Sequence, residues 1–143
     1  QTYIWNKERI KALNTFLPIK TELKGNVQRI IDGLANYKFS EFLEKKNYST
    51  GTIYELLNEH SGKELVPHTI ALLNETGFLD HFMNEYCKNK TECFKILARI
   101  FEVNERRIKG NVNILVNPNS TESETEYTSI KHTEAIRKRI QGR

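Results

Sequence analysis

Leu97-Ala98-Arg99-Ile100-Phe101-Glu102-Val103-Asn104-Glu105-Arg106-Arg107-Ile108-Lys109 is the stretch whose reading decides the fold. Leu97, Ala98 and Phe101 fall at i, i+1 and i+4, so they share one face of a helix. Val103 is a single aliphatic in a polar break, Asn104 is a good cap for a following helix, and Ile108 is the first apolar residue one turn in. The stretch therefore reads as two helices joined by a tight turn that buries one aliphatic. The side chains left pointing outward are those of Arg106, Arg107 and Lys109.

How the second helix continues is open to two periods. Ile108, Val112 and Leu115 at i, i+4 and i+7 make a helical core face. Alternatively, Lys109-Gly110-Asn111 forms a turn and Val112, Ile114 and Val116 line one side of a short strand. Gly110 costs about 1 kcal/mol in a helix interior relative to Ala. A lone strand needs a partner, however, and little else in the chain reads as strand. The expectation is a helix, with one short β segment near 111–116 as the alternative.

Outward from this stretch the chain reads as helices. Ile4, Trp5, Ile10, Leu13, Phe16 and Leu17 place one over residues 3–17, stopped by Pro18. A second is expected from Thr21 to Asn36, with a short third piece around Phe39, Phe42 and Leu43. Thr50 or Thr52 is read as the cap of a helix through Ile53, Leu56 and Leu57. Pro67 suits the first turn of a helix that Gly77 closes. Phe78, Leu79, Phe82, Met83 and Tyr86 form a further stripe, and Asn89 with Glu92 is a capping box opening the next helix. Pro118–Ser123 is a polar loop, after which Thr128 or Ser129 caps a basic amphipathic helix. The fold class is all-α, organised as an N-terminal helical segment (1–48), a helical core ending in the two-helix unit of 91–116 (49–116), and an acidic loop with a basic C-terminal helix (117–143).

Composition narrows the function classes. The chain has 143 residues and a formal net charge of +4, enough for one domain and too little charge to argue for a polyanion by itself. The distribution says more. Residues 93–116 carry five Lys/Arg against two Glu, and residues 128–143 carry five against one, with Glu122, Glu124 and Glu126 between them. No run approaches the 18 apolar residues that would span a bilayer. The chain starts at Gln1 and its one Met is Met83, which reads as a piece of a longer protein. Cys87 and Cys93 have five residues between them, too few ligands for a metal site. They read as two reduced thiols, with a disulfide as the alternative. The sequons at Asn47, Asn74, Asn89 and Asn119 are read as accidents of an Asn-, Lys- and Ile-rich composition, in a bacterial cytoplasmic protein. No phosphate loop, nucleophile elbow or paired metal-binding His motif is present. His60, His68, His81 and His132 read as scattered, with Asp80–His81 and His132–Glu134 as chance neighbours. No enzyme, cofactor or metal is expected.

Leu97 to Leu115 resembles the helix-turn-helix of bacterial transcription regulators in its order of small and apolar residues and in the polar cap, with Glu102 where that turn usually carries Gly. The helical run from Thr69 to Asn111, with Phe94 to Val103 at its end, is similar in pattern to RteC-type regulators of Bacteroides mobile elements. The resemblance implies a DNA-binding regulatory domain. In that reading Arg106, Arg107 and Lys109 face phosphates or guanine edges and Asn113 reaches adenine. Lys131, Arg137 and Lys138 on the last helix support them at the backbone. The rival expectation is a helical protein-interaction module, engaging a protein partner or a second copy, and it calls for uncovered apolar faces on residues 3–17 or 128–143.

Overall fold

The computed structural model describes residues 23–141; the helix expected over residues 3–17 lies outside them. Eight α-helices follow in order: α1 (Gly25–Ala35), α2 (Phe39–Lys45), α3 (Thr50–Leu57), α4 (Leu65–Thr76), α5 (Phe78–Tyr86), α6 (Lys90–Phe101), α7 (Glu105–Val116) and α8 (Ser129–Gln141). A 3-10 turn at Gly62–Glu64 leads into α4. The fold is all-α. No strand occurs among the described residues, and the short β segment weighed for 111–116 is replaced by the last turns of α7. The helical period wins because Ile108 and Val112, one turn apart, are both fully buried.

Helix α4 is the centre of the molecule. Ten of its twelve residues are buried, the mark of a helix surrounded on all sides rather than lying on a surface. It packs against α3, α5, α7 and α8, and its longest contact is with α8. Helix α8 buries Ile136 and Ile140 in this packing and leaves Ile130 exposed. Its charged residues add to the fastening: Arg137 Nε donates to Glu75 Oε1 of α4 at 2.9 Å, and Arg139 pairs with Glu59 just after α3. On the far side, α1 approaches α6 so closely that a Cβ on Gly33 would lie 2.9 Å from the Ile100 side chain. One apolar cluster runs from Val27 of α1 to Ile140 of α8.

Caps set most of the helix boundaries. Ser49, not Thr50 or Thr52, caps α3: its hydroxyl accepts from the Thr52 amide at 3.2 Å, as a serine three residues before the donor does. Gly77 at φ +86° closes α4 and lets α5 begin at the next residue. Asn89 Oδ1 accepts from the Glu92 amide at 2.8 Å, while Glu92 reaches back to the Lys88 amide at 2.6 Å. Neither Thr128 nor Ser129 spends its hydroxyl on capping α8. Thr128 donates to Glu64 at 2.9 Å and Ser129 to the Asn111 carbonyl at 2.7 Å.

Candidate nucleic-acid interface

The tight turn between α6 and α7 is built by local chemistry. Phe101 ends α6, Glu102 takes a left-handed conformation (φ 58°, ψ 46°), and the Val103 amide donates back to the Ala98 carbonyl at 3.1 Å. This is the Schellman closure, and Val103 packs half-buried against the apolar cluster. A non-glycine residue in this conformation costs roughly 1–2 kcal/mol, and Arg29 of α1 holds Glu102 at 3.4 Å across the surface. Asn104 then caps α7 by accepting from the Arg107 amide at 2.9 Å. Two twelve-residue helices meet across three residues.

Ile108, Gly110, Asn111 and Val112 of α7 are buried, which leaves one outward strip of Glu105, Arg106, Lys109 and the half-buried Asn113. Arg107 is half-buried and donates to the Lys63 carbonyl at 2.6 Å, tying α7 to the 3-10 turn. Arg106 is committed as well. Its guanidinium forks onto Glu122 at 2.7 and 3.1 Å and lies 5.1 Å from the centre of the Tyr127 ring. The hydrogen bonds from Arg106 hold the Glu122 carboxyl below the usual carboxylate range, and the Asn113 amide and the Lys109 charge add to that effect. Lys109 is exposed and has no salt bridge among the described residues.

The loop that supplies Glu122 is fixed at its far end. Tyr127 is 4% exposed and lies against Gly110, where a Cβ would meet the ring at 2.4 Å. Buried Asn111 accepts from the Ser129 amide at 3.1 Å and donates to the Arg107 carbonyl at 3.0 Å. The glycine that weakens α7 as a helix is therefore the seat of an aromatic ring, and the asparagine beside it fastens α7 to α8.

Beside the turn, an open groove of about 720 Å³ runs along α6 to the start of α7. Lys95 and Arg99, one helical turn apart, are exposed on its wall and have no salt bridge among the described residues. They belong with Lys109 as candidate phosphate contacts that the sequence reading passed over, although their i, i+4 spacing on the wet face of α6 was visible. Of the C-terminal cations, Lys131 and Lys138 are exposed, while Arg137 is engaged with Glu75.

Three of the four histidines come together. His60, His68 and His132 come from three different segments and meet in tilted and edge-on contacts with ring centres 4.2, 4.9 and 5.2 Å apart, lining a cleft of about 380 Å³. His132 Nε2 lies 2.7 Å from Glu64 Oε1, not on Glu134, and this bond lowers the Glu64 pKa. His68 is 3% exposed and its Nδ1 has no protein partner; burial pushes its pKa down to about 3. No group of three His, Cys, Asp or Glu among the described residues has the arrangement to hold a metal. His81 is apart from these, 4.8 Å from the Phe42 ring, and its neighbour Asp80 bonds Asn84 instead. Cys87 and Cys93 are free thiols, and burial pushes Cys93 up to about 12. No described helix is long and apolar enough to cross a membrane. No family model, curated protein or solved structure matches the chain.

Proposed function

We propose that this chain is a DNA-binding regulatory module, of the kind found in bacterial transcription regulators or mobile-element accessory proteins, acting in the cytoplasm through the α6–α7 unit. The observation that carries the reading is the turn itself. A three-residue connection with an Asn cap buries Ile108, Gly110, Asn111 and Val112 of α7 and leaves Arg106 and Lys109 exposed, with Asn113 half-buried beside them. Such a helix presents its opening turns to a major groove while the preceding helix meets the backbone. Lys109 is the residue best placed for phosphate, with Lys95 and Arg99 as accessory backbone contacts. Asn113 is the base reader, because a carboxamide carries the donor and acceptor that a bidentate adenine contact uses.

The rival, a protein-interaction module, gains from the commitment of Arg106 and Arg107 to partners within the chain. On α8 the apolar face it calls for is reduced to Ile130, which is exposed, because Ile136 and Ile140 are buried. A fluorescence anisotropy titration of a labelled mixed-sequence duplex, at low and at moderate salt, separates the two. The DNA reading expects salt-dependent binding whose slope falls by about one ion in Lys109→Ala. Absence of binding at low salt, or the same slope when Lys95, Arg99 and Lys109 are all alanine, overturns it.

A further inference from the structure

We propose that the acidic loop between α7 and α8 competes with nucleic acid for the outward strip of α7, with the Glu122 carboxylate occupying the place of a phosphate or a base edge. The inference rests on the DNA-binding reading and concerns how that binding is restrained. The Glu122 carboxylate takes both arms of the Arg106 fork at 2.7 and 3.1 Å, and the Asn113 amide and the Lys109 charge add to the lowering of its pKa that Arg106 dominates. Those residues lie at i, i+3 and i+7 and so converge on one side of the helix. A fork-on-carboxylate pair is the same recognition geometry that Arg offers a phosphate or a guanine edge.

The two ends of the loop differ in the way such a competitor requires. Its C-terminal end is anchored by buried Tyr127 and Ser129, which hold the loop next to α7. Its contact with Arg106 lies at the surface, where the Arg106 side chain is 56% exposed, so incoming phosphate can reach the guanidinium. Glu124 and Glu126 are exposed beside it and pair with no cation among the described residues. The loop thus adds negative charge where a duplex backbone would run.

The test compares wild type, Glu122→Gln and Glu124→Gln by anisotropy on the same labelled mixed-sequence duplex. Glu122→Gln keeps the shape and removes the charge that holds Arg106. It is expected to tighten binding about tenfold and to steepen the salt dependence by about one ion, as Arg106 joins the contacts. Adding Arg106→Ala to it should abolish that gain. Glu124→Gln touches nothing on α7 and is expected to gain about twofold from reduced repulsion alone, which covers the case of a Glu122 variant that fails to fold. Wild type that binds while both variants bind no better overturns the competition and leaves the proposed function standing. Failure of wild type and both variants to bind at low salt overturns the proposed function, and this inference with it.

Discussion

Gly110→Ala puts two physical rules in opposition. In an open helix interior the change stabilises by about 0.8–1 kcal/mol, because alanine has less backbone freedom to lose. In α7 the new Cβ would lie 2.4 Å from Tyr127 Cε1, 2.5 Å from Cδ1 and 2.6 Å from Cγ. The contact extends to Cγ, so turning the ring about its own axis does not clear it. The whole side chain must withdraw from a site where it is 4% exposed. Overpacking of this kind costs about 1–3 kcal/mol, and expelling a buried aromatic about 3–5. Net of the helix gain of about 1 kcal/mol, Gly110→Ala should destabilise by about 0–2 kcal/mol if the ring only shifts and by about 2–4 kcal/mol if it is expelled. In a Tyr127→Ala background the same substitution should instead stabilise by about 1 kcal/mol, because only the propensity term is left. Urea denaturation of the four proteins in this cycle reads the reversal as midpoints moving in opposite directions at a constant slope. A Gly110→Ala midpoint that rises in the otherwise native chain refutes the docking of Tyr127 on α7.

The pH dependence of stability has a definite sign. His68 is held neutral in the fold, down to about pH 3, while an unfolded His titrates near 6.5, so unfolding takes up a proton between those values. Stability should be full above about pH 6.5 and fall progressively toward pH 3. Glu64, whose pKa is lowered by His132, adds loss in the same direction below the ordinary carboxylate range. His68→Leu should flatten the upper part of this profile in chemical denaturation at stepped pH; an unchanged profile contradicts the buried neutral imidazole. Glu102→Gly should leave stability unchanged or raise it by up to about 1 kcal/mol, because the left-handed strain it relieves exceeds what an exposed ion pair with Arg29 contributes. Glu102→Val should lower it, and thermal melts distinguish the two signs. Mass-detected alkylation under native conditions should label Cys87 slowly and Cys93 only on unfolding, since Cys93 is fully buried. Rapid double labelling contradicts that placement.

The parts of this molecule that were legible in its sequence are those written locally. The break at Glu102–Asn104, the capping pair of Asn89 and Glu92, and the stop at Gly77 each depend on residues within one helical turn. Both a helical and a strand period fitted the second helix, and it could be read as a helix because a lone strand would have had no partner. What the sequence did not disclose is the reason for that glycine, since Tyr127 reaches it from the far end of an irregular loop. The Arg106–Glu122 fork spans 16 residues and the His132–Glu64 bond spans 68. Neither has a periodic signature. The first exists because Tyr127 and Ser129 dock the loop on α7 and the second because α8 folds back along α4, and side-chain spacing says nothing about which helix another segment will lie against. The same packing turned Arg137 from a candidate backbone contact into a fastener on Glu75.

The central claim, that α7 presents its strip to duplex DNA, is tested most directly by mapping backbone amide shifts of the isotopically labelled protein as a mixed-sequence duplex is added at low salt. The account predicts shifts concentrated at Glu105–Asn113 and at Lys95 and Arg99, with the loop around Glu122 moving as the duplex displaces it. Amides that do not move anywhere, or that move only around the histidine cleft between α4 and α8, contradict it.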